Sequence, residues 1–371
     1  MIGFIRASAF LLFVVASIAS IESTDGFSTS ASQSSTSNLQ STTPSTTSTA
    51  LHVLDTKHQT ITITSDINHG DQTASSTSSN LTPTGADLEA WARGFQTCPN
   101  ELPPTILDCD LPADFPVGTY YRNGHARFEA DDGTPVLHPF DGDGMIVATT
   151  FDPHQKRILF RNKFIETKGY TEDKRTGKMT NMKQPIWELP RPFDLVTPNT
   201  LVRYTLDVQN RCLAEAPKTL STRIPEFPSL PKEMSTRKHR YLYPVASHIQ
   251  VEFDLNTKGS GLAGALQKVD TEHPELSETY AFEPYEFPGE AVFAAKAGKD
   301  VTQQEDAGYL IVHIVNGKDQ TTDFAIFDVE GKGSFEKGPV VRQRLPVFLP
   351  HMLHGNFFDG VTFDFDSFAT K

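Results

Sequence analysis

The chain has 371 residues, with 33 Lys and Arg against 46 Asp and Glu, for a net charge of −13. That length holds one large domain or two ordinary ones. The sign of the charge disfavours nucleic acid and charge-driven binding to anionic membrane surfaces, since both reward basic patches.

Arg6 is followed by an apolar run from Ala7 to Ile21, and polar residues begin at Glu22. A short basic start, an apolar core and small residues after it form a secretory signal peptide over residues 1–26. A membrane helix needs about 20 apolar residues, which no later run approaches. Residues 27–85 are rich in Ser and Thr, and Phe27 to Ala50 contains no acidic residue. Such a segment cannot bury a core. Signal peptide, then Asp25-Gly26-Phe27, then this tract resembles the bipartite presequences of algae with complex plastids, which implies a plastid address. As an O-glycosylated spacer the same tract would instead belong to a secreted protein, with Asn80-Leu81-Thr82 as a glycosylation acceptor.

Residues 86–371 read as the folded domain. Asp87 to Arg93 is a short helical entry. Cys98, Cys109 and Cys212 have no CxxC spacing, which disfavours zinc. They read as free thiols, with a Cys98–Cys109 bridge left open. From Leu111 onward, short apolar and aromatic runs alternate with turn signals. Thr119 to Arg122 precedes Asn123-Gly124, a strong turn dipeptide. Met145 to Phe151 and Ile158 to Ile165 flank Asp152-Pro153 as a hairpin. Further strands are expected over Leu201 to Leu206, Arg240 to Val245, Ile249 to Leu255, Tyr309 to Val315 and Phe324 to Val329, each rich in β-branched or aromatic residues. No amphipathic helix longer than about three turns is evident. Many short strands and 25 prolines make the domain all-β, a sandwich, barrel or propeller, among which periodicity does not choose.

Gly118-Thr-Tyr-Tyr-Arg-Asn-Gly124, His138-Pro-Phe-Asp-Gly-Asp-Gly-Met145 and Phe160-Arg-Asn-Lys-Phe-Ile-Glu-Thr-Lys-Gly169 carry a specific resemblance. So do Leu201-Val-Arg-Tyr-Thr-Leu-Asp207, Pro225-Glu-Phe-Pro228, Lys238-His-Arg-Tyr-Leu-Tyr243, Pro288-Gly-Glu-Ala-Val-Phe293 and Glu305-Asp-Ala-Gly-Tyr-Leu310. The last is Arg344-Leu-Pro-Val-Phe-Leu-Pro-His-Met-Leu-His-Gly355. Together they resemble the carotenoid oxygenase family over Leu111–Gly169 and Leu201–Gly360. His125 departs from the proline usual there. Asp141-Gly-Asp-Gly144 taken alone reads as a tight turn, because Met145 and Val147 break a calcium-loop pattern.

The resemblance implies a seven-bladed β-propeller that cleaves a conjugated C=C bond of a carotenoid or apocarotenoid with O2, giving two carbonyl products. It also implies one Fe(II) held by four neutral imidazoles, with glutamates orienting them. His354 stands at the fourth ligand position, and Glu226 and Glu290 at two orienting positions. The other three ligands belong between Gly169 and Leu201, yet Thr171 to Thr200 contains no histidine. His138, His239, His248, His313 and His351 match no ligand motif and read as solvated or satisfied polar residues. The central blades are therefore expected to be missing, and the chain to be inactive, since one imidazole cannot hold iron usefully. A shortened, non-catalytic propeller that binds an apolar ligand or a partner, by splicing or as a gene-model fragment, is the alternative. Neither bond specificity, oligomeric state nor peripheral membrane docking is readable. An unrelated all-β hydrolase is disfavoured, as no Gly-x-Ser-x-Gly elbow occurs.

Overall fold

The computed structural model describes residues 85–136, 139–179, 200–250 and 262–365. The presequence, His138, the 180–199 stretch and residues 251–255 of the expected Ile249–Leu255 strand lie outside the described residues. A first helix, α1 (Gly85–Arg93), leads in where the sequence places it. Four strands follow: β1 (Thr105–Asp108), β2 (Gly118–Arg127), β3 (Asp143–Asp152) and β4 (Arg157–Phe164). β3 and β4 form the expected hairpin around Asp152-Pro153, from Met145↔Phe164 to Asp152↔Arg157. A second helix, α2 (Lys168–Thr176), was not signalled. Thr167 caps its start by accepting from the Tyr170 N–H, and Gly177 closes it at φ 69°.

The turn expected at Asn123-Gly124 does not exist. β2 runs straight through it, pairing Asn123 with Ile146 and Gly124 with Met145. The dipeptide is used for space instead. A Cβ on Gly124 would lie 2.7 Å from the Met352 Cα, so glycine admits the backbone of the chain's last segment against the strand.

After the 180–199 stretch come two short ladders. They are β5 (Leu201–Arg203) on β8 (Lys218–Ser221), and β6 (Leu206–Asp207) on β7 (Cys212–Leu213). The Leu201–Leu206 strand of the sequence reading is thus split at Tyr204-Thr205. The second sheet, in the order β12-β11-β10-β9, comprises β9 (Arg223–Ser229), β10 (Tyr241–Gln250), β11 (Ala263–Asp270) and β12 (Glu278–Ala281). The third comprises β13 (Glu286–Pro288), β14 (Val292–Ala295), β15 (Gly308–Asn316), β16 (Thr321–Asp328) and β17 (Val341–Arg344). The final strand, β18 (Gly355–Asp359), returns to β2 and completes the first sheet in the order β1-β4-β3-β2-β18.

The third sheet lies between two apolar clusters. On β15 and β16, Tyr309, Ile311, Phe324 and Ile326 join Phe115, Phe151 and Phe357 of the first sheet's side. Leu310, Val312, Ala325 and Phe327 join Tyr243, Leu266 and Phe282 of the second sheet's side. Successive side chains point to opposite faces, so a strand buried on both sides reads as a continuous apolar run rather than an alternation. That is why these two strands were the plainest in the sequence. Cys98 and Cys109 are free thiols, as the sequence reads them, and the bridge left open between them does not form; both are buried, and burial pushes each up to about 11, which keeps them unreactive.

Candidate functional site

His354 sits one residue before β18, where Asn123 of β2 pins the chain from both sides. The Asn123 backbone N–H donates to the His354 carbonyl at 2.9 Å, and the His354 N–H donates to the Asn123 Oδ1 at 3.2 Å. Glu290 lies in the link between β13 and β14. Its two carboxylate oxygens divide the work. Oε1 accepts from the His354 Nδ1 at 3.2 Å, and Oε2 accepts from the Gly355 backbone N–H at 2.8 Å. A carboxylate only accepts here, so a proton sits on Nδ1, and in the neutral ring the lone pair is then on Nε2. The His354 side chain is 67% exposed, whereas that of Glu290 is 15% exposed.

The second sheet supplies the next contact through a β-bulge. Tyr243 pairs with Ser229 but Val245 pairs with Glu226, so two residues of β9, Phe227 and Pro228, face one of β10, Pro244. Phe227, inside the bulge, has φ 46°, a left-handed conformation that side chains other than glycine rarely adopt. The bulge turns Phe227 edge-on to the His354 ring, with centroids 5.8 Å apart. Glu226 itself keeps an exposed side chain and is not hydrogen-bonded to His354. Desolvation by the surrounding sheets pushes its carboxyl upward, an effect that solvent access weakens.

The structure therefore brings His354 and Glu290 together and sets Phe227, not Glu226, against the ring. Sequence reading missed Asn123 and Phe227. Asn123 was read as turn chemistry, and Phe227 is placed by a bulge that no periodicity encodes. Among the remaining histidines, His351 is satisfied as expected, with its Nε2 3.1 Å from the Trp91 carbonyl. His313 is not: it is 4% exposed and neither ring nitrogen has a hydrogen-bond partner. Burial, reinforced by Arg122, holds it neutral, far below the usual imidazole range. Its ring lies edge-on to Tyr120 at 5.3 Å. A cavity of about 180 Å³ opens beside Glu290, floored by Ala291, Val292 and Phe293 and rimmed by Ser229, Lys232 and Asn356. All three sheets contribute to its wall.

One imidazole with a free Nε2 and an orienting carboxylate is the arrangement that presents histidine to a metal. It does not fit an iron centre as a whole. Among the described residues no three His, Cys, Asp or Glu side chains gather at metal-binding spacing. A single neutral ligand confers little affinity.

Comparison with known proteins places these features. The family described as RPE65, retinal pigment epithelial membrane protein, matches residues 95–193 and 181–359. The chain is 44% identical over 91 residues to apocarotenoid-15,15'-oxygenase of Synechocystis, covering 24% of this chain and 18% of that protein. It is 36% identical over 80 residues to the chloroplastic carotenoid cleavage dioxygenase 7 of Oryza sativa, covering 22% of this chain and 13% of that protein. These matched segments span less than a fifth of either relative's length. Among solved structures, a mutant of the Synechocystis apocarotenoid oxygenase superposes with a TM-score of 0.62 at 17% identity, over 73% of this chain and 98% of that one. The cobalt-substituted form of that oxygenase gives 0.61 at 16% identity, over 73% and 98%. This likeness shows the fold: all-β, of the propeller type, with three four- or five-stranded sheets among the described residues.

Proposed function

The chain belongs to the carotenoid oxygenase family, and from that premise we propose that it descends from a non-haem Fe(II) dioxygenase cleaving a conjugated double bond of a carotenoid or apocarotenoid with O2 to two carbonyl products. We propose further that the 371-residue chain retains one ligand position of that centre and does not turn over alone. The observation that carries both parts is the pair formed by His354 and Glu290. The Nδ1–H is held at 3.2 Å by a carboxylate anchored in turn by the Gly355 N–H at 2.8 Å, and no further imidazole joins it among the described residues. In this reading Glu290 fixes the tautomer, His354 offers Nε2, and Phe227 limits how the ring can tilt. The exposed Tyr204, Leu206 and Val208, at 58%, 67% and 70%, offer a surface for peripheral docking on a membrane that carries an apolar substrate. In this reading the protein is addressed to a plastid, a compartment named for two of its relatives, and residues 1–26 with the tract that follows would carry the address.

The test is iron content and apocarotenoid cleavage by the purified full chain, supplied with Fe(II) under air. Iron well below one equivalent and no carbonyl products are expected. Stoichiometric iron with turnover would overturn the proposal that the chain does not turn over alone.

A further inference from the structure

Arg122 is 1% exposed, one of the largest fully buried side chains, and among the described residues no carboxylate forms an ion pair with it. Its hydrogen bonds all go to neutral oxygens. Nη1 donates to the Tyr120 hydroxyl and to the Glu290 carbonyl, each at 2.8 Å. Nη2 donates to the Met352 carbonyl at 3.3 Å, and Nε is buried without a partner. A guanidinium withdrawn from water and compensated only by dipoles is costly, so it is a poor device for stability alone. Its fork does have a geometric property that one hydrogen bond lacks. It ties two chain segments, the Gly289–Glu290 link of the third sheet and the Met352–His354 approach to β18, to one rigid plane on β2.

Two glycines make room for this arrangement. A Cβ on Gly289 would lie 2.2 Å from the Arg122 Nη2, and one on Gly124 would lie 2.7 Å from the Met352 Cα. Neither has a positive φ, so both are needed for close approach rather than for backbone freedom.

We propose that Arg122 is the positioning residue of the His354–Glu290 pair: by clamping the carbonyl of Glu290 and that of Met352, two residues before His354, it sets the reach of the Glu290 carboxylate to Nδ1 and so holds the imidazole with Nε2 free. This rests on the reading of His354 and Glu290 as a ligand and its orienting carboxylate. Arg122 touches neither the ring nor the carboxylate oxygens in its hydrogen bonds; it acts through the main chain.

The experiment reads the ring itself, without metal or turnover. Histidine-labelled full chain is examined by nitrogen NMR at about pH 8, where an ordinary imidazole is neutral. His354→Asn assigns the resonance, and Glu290→Ala defines the unpositioned ring. The exposed His154 serves as an internal reference. In the parent, His354 should be in the Nδ1–H form. Arg122→Lys keeps the charge but loses the fork. Gly289→Ala displaces the fork from the other side. In each folded variant the tautomer ratio should move at least about fivefold toward that of Glu290→Ala, the effect of losing one ordinary hydrogen bond. A lower melting temperature with an unchanged His354 spectrum in both variants would overturn the positioning role while leaving the pair intact. A parent spectrum already matching Glu290→Ala would overturn the pair, and the proposal with it.

Discussion

His351 is a residue whose ionisation state is decided entirely by its neighbours. Its N–H donates to the Gly94 carbonyl at 2.8 Å, its ring Nε2 reaches the Trp91 carbonyl at 3.1 Å, and Phe95 packs on it at 4.9 Å. Since a carbonyl only accepts, Nε2 carries the proton. Burial is the largest influence and pushes the imidazole down to about 4, opposed by the Trp91 contact and aided by Arg122. In the unfolded chain it would titrate near 6.5. Between those values the unfolded state binds the extra proton. The contribution of His351 to stability is therefore full above about pH 6.5 and is lost as pH falls toward 4, by at most about 3 kcal/mol. His313, also held neutral by burial, acts in the same direction. Urea unfolding followed from pH 7 to 4 should show a falling midpoint, and His351→Gln should flatten part of that fall. An unchanged pH profile in the variant would contradict this account. At this scale the sequence was informative where a motif stood on the page, as for His354 and Glu290. It was mute where burial decided, since nothing in the residues around His313 distinguishes a solvated imidazole from an orphaned one.

Strand β18 shows how one element divides its two faces. Phe357 is 5% exposed and meets the rings of Phe115 at 6.3 Å and Phe151 at 6.4 Å, inside the cluster shared by the first and third sheets. Phe358 points the other way, is 44% exposed, and touches Tyr121 edge-on at 5.7 Å. Phe357→Ala should therefore cost about 3–5 kcal/mol, by lost transfer energy and the cavity left behind. Phe358→Ala should cost less than about 1 kcal/mol. Equilibrium denaturation of the two variants checks the contrast; similar losses would mean that the strand does not alternate as described. β18, β9 and β11 were not found from sequence. β9 contains Pro225 and Pro228, which weigh against a strand, yet Pro228 lies in the bulge and β9 is the edge of its sheet, where a missing N–H is tolerated. β11, Ala-Gly-Ala-Leu-Gln-Lys-Val-Asp, lacks β-branched density and is a strand because it lies between β10 and β12.

At the scale of the whole molecule, the pairing of β18 with β2 joins the chain's last described strand to its second, from Gly355↔Arg122 to Asp359↔Gly118. It leaves β2 with a partner on each side, as β3 holds the other. Removing residues 355–371 should expose the β2 edge and part of the Phe115–Phe151 cluster. The truncated chain is expected to lose its cooperative melt and to form oligomers visible by sedimentation. A monomer that melts like the parent would show that the closure contributes little.

The sequence by itself determined the all-β class, the strands over Tyr309–Val315 and Phe324–Val329, and, through the resemblance, the short motifs that hold His354, Glu226 and Glu290. Those rest on local composition and on motifs that survive reading in one dimension. Tertiary structure alone decided that Asn123-Gly124 is strand rather than turn, that a bulge aims Phe227 at His354, and that Arg122 binds two distant carbonyls. Each depends on which segments approach one another, and close approach is a property of packing between elements that no window of residues contains.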